Sequence, residues 1–143
     1  MKIAVIGLGF VGLSLTSVLA SRGNNVIGID VDVEKCKKIR GGISPFFEPD
    51  LEKMLRIGLK KKLTISDDFS LVKDCDMIFV AVGTPQKSNG AIELSMIKKA
   101  VTSIGRILAK SKKKPIVFIK STVTPGTMQN IILPILEKRS GKK

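Results

Sequence analysis

The chain contains no histidine, no tryptophan and no tyrosine, only two cysteines, and 12 acidic residues against 25 basic ones. Each shortage excludes something. Without histidine there is no His-based catalytic triad. Cys36 and Cys75 stand outside any CxxC or metal-ligand spacing, so no structural zinc centre and no other metal site is expected, and both thiols read as small buried hydrophobes. With no tryptophan or tyrosine to stack on bases, the net charge of +13 is expected to serve anionic small ligands and a general positive field, with no nucleic-acid partner. The lysine runs Lys60–Lys62, Lys112–Lys114 and Lys142–Lys143 fall where solvated ends of elements are expected, the middle one closing a helix whose dipole it complements. A long hydrophobic run is also missing. Ile3–Ala20 carries no charge, but Gly7, Gly9, Gly12, Ser14, Thr16 and Ser17 interrupt it as a strand, a turn and a helix would. It is read as neither signal peptide nor membrane span, and a cytoplasmic protein without a membrane partner is expected.

What remains is ordinary globular material: 143 residues, 43% apolar and 26% charged, enough for one domain over residues 1–143. Apolar runs between polar turns predict strands at Lys2–Ile6, Asn25–Asp30, Leu63–Ile65, Met77–Val82 and Ile116–Lys120. Helical patterns lie between them. Val11, Leu15, Val18 and Leu19 share a face of the first. Val33–Arg40 is stopped by Gly41-Gly42. Pro49 opens a third that runs to about Gly58, with Leu51, Met54 and Leu55 inward. Asp67–Val72 makes a short one. Leu94–Ala109 carries the stripe Ile97, Val101, Ile104 and Leu108, and Thr127–Arg139 holds Pro134 where a kink or restart is expected. Alternating strands and helices with continuously apolar strands predict an α/β fold. Its Rossmann-type doubly wound parallel sheet has the order 3-2-1-4-5, with a sixth strand missing or beyond the chain end. The missing continuation is expected to leave apolar surface along strand five.

The loop after strand one is Gly7-Leu8-Gly9-Phe10-Val11-Gly12, and Asp30 closes strand two. In that order these are the parts of a dinucleotide clamp. The first glycine turns the strand, the second admits a pyrophosphate, the third lets the helix pack close, and the carboxylate accepts ribose hydroxyls. Asp30 welcomes two hydroxyls and repels a 2′-phosphate, with Val31 offering no arginine to offset it, so NAD is expected over NADP. Two further strand ends carry unusual residues, Val82-Gly83-Thr84-Pro85 and Ser121-Thr122. By themselves they read as a plain turn and as a type II turn with Thr127 as helix N-cap. Their convergence on one crevice adds a ligand role.

Taken together, the GLGFVG loop, Asp30 with Lys35, Ser44-Pro45-Phe46-Phe47-Glu48-Pro49, Val82–Pro85 and Lys120–Thr127 resemble the UDP-glucose/GDP-mannose dehydrogenase family over the whole chain. The loop Gln86–Gly90 followed by Ala91-Ile92-Glu93-Leu94-Ser95 looks most like its UDP-glucose 6-dehydrogenase branch. The resemblance implies oxidation of a sugar C6 alcohol to a carboxylate with two NAD, on a UDP-sugar, by a homodimer in the full-length form. It implies that Gly7, Leu8, Gly9, Phe10, Val11 and Gly12 cradle the pyrophosphate and that Asp30 and Lys35 hold the adenosine ribose. It further implies that Val82, Gly83, Thr84, Pro85 and Ser121 line the cofactor, and that Thr122 meets the nicotinamide side and helps position a water. Glu93 departs mildly, standing where the family more often has Asp. The larger departure is that the family's catalytic cysteine lies in a segment beyond this chain, and neither Cys36 nor Cys75 sits in its motif, so the chain alone is expected to bind NAD and turn nothing over. Two other readings stay open: a sister activity on GDP-mannose or a UDP-N-acetylhexosamine, and a non-enzymatic NAD-sensing Rossmann module, which would have no reason to carry Gly83-Thr84-Pro85 and Ser121-Thr122 together. From Asp30 alone, a titration is expected to give NADP an affinity at least about tenfold below that of NAD; equal binding of the two contradicts the assignment.

Overall fold

In the computed structural model, which describes residues 1–142, the apolar runs become five short strands: β1 (Lys2–Ile6), β2 (Asn25–Ile29), β3 (Leu63–Ser66), β4 (Met77–Val80) and β5 (Ile116–Ile119). The helices are α1 (Phe10–Ser21), α2 (Val33–Arg40), α3 (Leu51–Leu59), α4 (Ser95–Leu108) and α5 (Leu133–Ser140), with a 3-10 helix at Phe69–Asp74 and a π-helical turn at Met128–Ile132. The sheet is parallel throughout, in the order β3-β2-β1-β4-β5 predicted from the crossover rule. Its register is level. Leu63, Val26, Ile3, Met77 and Ile116 form one transverse row near the strand starts, and Ser66, Ile29, Ile6, Val80 and Ile119 form another at the strand ends.

Both sheet faces are covered, which is why the central strands can be apolar beyond their first residues. Val5, Val26, Leu63 and Ile65 pack with Leu13, Ile39 and Leu55 into one core against α1, α2 and α3. Ala4, Ile6, Ile27, Ile29, Ile78 and Val80 point the other way, onto Val72, Ala100, Ile104 and Leu108. Ile97, Val101 and Ile132 then fasten α4 to the π-helical turn. Strand β5 is one of the two edge strands, with Ile116 57% and Phe118 37% exposed. The apolar edge anticipated along strand five is present.

Four local expectations are corrected. The inward face of α1 is Gly12, Leu13, Thr16, Ser17 and Ala20, while Val11 is exposed and Leu15, Val18 and Leu19 are half-buried. The helix carries no charge, so its sequence pattern names no face, and the close approach to the sheet selects small side chains instead. Helix α3 starts at Leu51, because Asp50 adopts a left-handed conformation (φ 59°) that no α-helical turn can include. The segment after β3 is a 3-10 helix capped by Asp68, whose carboxylate accepts the Ser70 N–H at 2.8 Å. The restart expected near Pro134 is present: the π-helical turn comes first and α5 begins at Leu133 with Pro134 in its first turn, where the missing N–H costs nothing. Thr127 makes no capping bond. Its own backbone is already helical, its N–H closes the turn onto the Thr124 carbonyl at 3.1 Å, and its hydroxyl lies 3.1 Å from that of Thr124. Gly126 (φ 85°) supplies the positive φ of the expected type II turn.

Helices α1 and α3 meet at Gly58, where an added Cβ would lie 2.7 Å from the Ala20 Cβ and 3.3 Å from Leu63 Cδ2. Helix propensity alone favours alanine over glycine by about 1 kcal/mol, but the neighbouring Cβ belongs to a helix packed on the sheet and cannot swing away. Gly58→Ala is therefore expected to lower stability by about 1–2 kcal/mol in chemical denaturation; a more stable variant would mean that the two helices do not touch there.

Candidate functional site

The level register sets the residues that follow β2, β1 and β4, namely Asp30, Gly7 and Ala81, side by side at the carboxyl edge of the sheet. Strand order reverses between β1 and β4, so their loops lead to opposite faces and leave a crevice between them. Its volume is about 670 Å³, and its lining includes Gly7, Gly9, Asp30, Lys35, Val82 and Gly83.

The three glycines differ in what surrounds them. Gly7 has φ 91°, and a Cβ there would lie 2.8 Å from the Ala81 carbonyl oxygen. At Gly12 a Cβ would fall 1.7 Å from the Gly7 carbonyl oxygen. Both are closed by the protein's own backbone. At Gly9 a Cβ would meet nothing within 4 Å among the described residues, so its missing side chain leaves free space on the crevice wall. Among the described residues the N–H groups of Phe10, Val11 and Gly12 find no acceptor, as the first turn of a helix requires. A backbone stripped of side chains, with free donors at the positive end of a helix dipole, fits a pyrophosphate.

Leu8 has a different part. Its side chain is fully buried, and its N–H donates to Asp30 Oδ2 at 2.7 Å instead of facing the crevice. The same oxygen accepts from Lys35 Nζ at 2.9 Å, and Oδ1 accepts from the Asp32 N–H at 3.0 Å. Asp32 in turn caps α2 by accepting the Lys35 N–H at 2.9 Å. Burial by itself would raise the Asp30 pKa. The Lys35 ammonium and the two backbone donors outweigh it and hold the carboxyl below the usual carboxylate range. Beneath this group the Cys36 thiol lies 3.5 Å from the carbonyls of Asp30 and Ser66, and burial pushes its pKa up.

The remaining expected residues lie around the crevice and outside its lining. Phe10 and Val11 are exposed on the first turn of α1, Phe10 with its ring 4.2 Å from that of Phe46. Thr84 is half-buried, while Pro85 and Thr122 are exposed. The Ser121 hydroxyl donates to the Val82 carbonyl at 2.6 Å and ties the loops after β4 and β5 together. Sequence reading missed one whole wall: Phe69 of the 3-10 helix and Met96, Lys99 and Ser103 of α4. These α4 positions recur at helical spacing beside the buried stripe Ile97-Val101-Ile104, which is the signal that could have found them.

Comparison with known proteins matches this geometry. A family model described as the NAD binding domain of the UDP-glucose/GDP-mannose dehydrogenase family covers residues 1–143. A GDP-mannose 6-dehydrogenase of Pseudomonas syringae pv. tomato is 40% identical over all of this chain and 33% of its own length. A UDP-glucose 6-dehydrogenase of Haloferax volcanii is 33% identical over the same shares. A solved ternary complex of a GDP-mannose dehydrogenase from Pseudomonas aeruginosa superimposes with a TM-score of 0.97 at 40% identity, covering 100% of this chain and 33% of the other. The chain thus spans about a third of the length of the curated relatives it matches.

The pKa of Asp30 sets a pH dependence. Because the folded value is depressed, the carboxylate's contribution to stability is complete above the unfolded value of about 3.9 and disappears as pH falls through the folded one. Asp30→Asn is expected to flatten the stability profile of the wild type below about pH 4, measured by urea unfolding at stepped pH; identical slopes in the two proteins contradict the arrangement.

Proposed function

The chain belongs to the UDP-glucose/GDP-mannose dehydrogenase family as its NAD binding domain, and from that premise we propose that it holds NAD for the oxidation of a nucleotide-sugar C6 alcohol to a carboxylate. The observation that carries the reading is the contrast at the glycine loop: Gly7 and Gly12 are closed by backbone while Gly9 stands open on a 670 Å³ crevice with Asp30 beside it. Bound NAD would accept the hydride from the alcohol carbon. The chain's own residues do the rest. The N–H groups of Phe10, Val11 and Gly12 take the pyrophosphate, and Asp30 and Lys35 take the adenosine ribose. Asp30 Oδ1 has one donor and room for a hydroxyl, and the Lys35 ammonium has two protons left after its bond to Asp30. Val82, Gly83, Thr84, Pro85 and Ser121 border the cofactor. Thr122, exposed after β5, offers a hydroxyl that donates and accepts without titrating and positions a water on the nicotinamide side.

Two sugars are in view. The loop Gln86–Gly90 and Ala91–Ser95 support UDP-glucose, and the higher identity of the relatives named for GDP-mannose, 40% against 33%, supports that sugar. The reading places the reaction in the cytoplasm and the full-length enzyme in a homodimer. No activated nucleophile is at hand among the described residues, since Cys36 and Cys75 are both buried with pKa values raised chiefly by that burial. The 143-residue chain is therefore proposed to bind NAD and to form no NADH from either sugar.

Calorimetric titration tests this. NAD is expected to bind the wild type. Gly9→Ala is expected to weaken NAD by at least about tenfold with an unchanged unfolding midpoint, and Gly12→Ala to lower affinity and midpoint together. Absence of NAD binding to the wild type, or NADH formation from UDP-glucose or GDP-mannose by the chain alone, overturns the reading.

A further inference from the structure

The parallel sheet has a second edge, formed by the loops that precede the strands, on the side away from the crevice. Its register row is Leu63, Val26, Ile3, Met77 and Ile116, and the residues just ahead of that row carry most of the unbalanced charge of the chain. Lys60–Lys62 precede β3, Arg22 precedes β2, and Lys112–Lys114 precede β5, all exposed. The only acids ahead of the row are Asp74 and Asp76, both before β4, and Asp76 is engaged by Lys113 Nζ at 2.5 Å and by the Lys2 N–H at 2.8 Å. Helices α1, α3 and α4 also end here, and a helix C-terminus favours a cation in its last turn. That accounts for one lysine per helix and leaves runs of three unexplained. Lys61 is used locally, donating to the Ser21 carbonyl at 2.8 Å. Among the described residues Lys60, Lys62, Lys112 and Lys114 have no carboxylate partner.

The two runs stand at opposite ends of the row. Strands β3 and β5 are four spacings apart, about 19 Å at 4.7–4.9 Å per spacing. Between them the face is closer to neutral because of Asp74 and Asp76. Two cation clusters at that separation, on side chains several ångströms long, straddle a duplex groove about 12 Å wide and meet the phosphates on its two walls. The lack of tryptophan and tyrosine speaks against single strands, whose bases need stacking partners, and does not touch duplex binding, which runs on phosphate neutralisation. With one arginine and otherwise lysines, the face has point charges and nothing to read base edges. We propose that this face docks double-stranded nucleic acid through its backbone, without sequence preference, on the side of the domain opposite the NAD crevice.

The test uses the whole chain and a duplex of roughly 20 base pairs, followed by fluorescence anisotropy across a salt series. Lys60→Glu with Lys62→Glu, and separately Lys112→Glu with Lys114→Glu, are each expected to lower duplex affinity by at least about tenfold and to flatten its salt dependence. Lys53→Glu with Lys98→Glu makes the same change in net charge near the crevice ends of α3 and α4 and is expected to have an effect below about threefold. NAD titration of each variant reports folding. An equal loss in the Lys53/Lys98 control would reduce the effect to net charge and overturn the proposal. So would a single strand or poly-L-glutamate that binds the wild type as tightly as the duplex, the latter pointing to an acidic polypeptide, and so would no duplex binding at low salt.

Discussion

The bond from the Leu8 N–H to the Asp30 carboxylate holds the crevice in shape. A glycine-rich loop has little side-chain packing to fix it. The Gly7 N–H still pairs with the Ile29 carbonyl at 2.7 Å, and beyond that bond the Asp30 carboxylate is what holds the loop after β1 against the end of β2. Asp30 does so from a nearly buried position, 7% exposed, which a carboxylate tolerates only when its charge is met. Three donors meet it: Leu8 from the glycine loop, Asp32 from the turn, and Lys35 from α2. The loop, the strand end and the next helix therefore share one charge. The side chain that would select the ribose is also the one that positions the loop for the pyrophosphate, so the two halves of that recognition are coupled mechanically.

A second joint works in the same way at β4 and β5. The Ser121 hydroxyl reaches the Val82 carbonyl and binds together two loops that the sheet alone leaves separate. Thr84 and Thr122 each lie one or two residues beyond this tie. Their placement follows from a neutral hydrogen bond, while that of the glycine loop follows from a buried charge. The neutral joint is independent of pH, and the charged one weakens as Asp30 protonates.

The parts of this arrangement that were legible in the sequence are those in which one residue type has one physical reason to be where it is. Continuous apolar runs of four or five residues could only be covered parallel strands, and Gly7, Gly12 and Asp30 answer to space and charge at strand ends. Val33–Arg40 matched to the residue because Asp32 caps it and Gly41 stops it. Where several causes compete, the pattern fell silent. Helix α1 has no polar face, so sheet proximity chose its inward side. Met96, Lys99 and Ser103 share no chemistry and are joined only by helical spacing and by the position of α4 beside the crevice. The role of Leu8 was invisible for another reason: its contribution is a backbone N–H, which any residue supplies, aimed by a fold that the sequence specifies only as a whole.

Parallel topology also explains why the two edges differ so much in charge. Every strand runs the same way and the crossover helices run back, so helix N-termini gather with strand ends and helix C-termini with strand starts. The first edge presents free N–H donors and tolerates carboxylates such as Asp30, Asp32 and Asp67, which complement the positive ends of dipoles. The second presents carbonyl ends and tolerates lysine. Dipole complementarity sets the sign of each edge but not its amount. At the first edge Asp30 is paired with Lys35 and Asp67 with Arg40, so the excess is largely cancelled. At the second, among the described residues, only Lys113 is paired with a carboxylate, through Asp76, and the rest of the two lysine runs stays open to solvent. A face kept that far from neutrality costs self-repulsion in the folded state. That cost is offset when an extended anion lies across it.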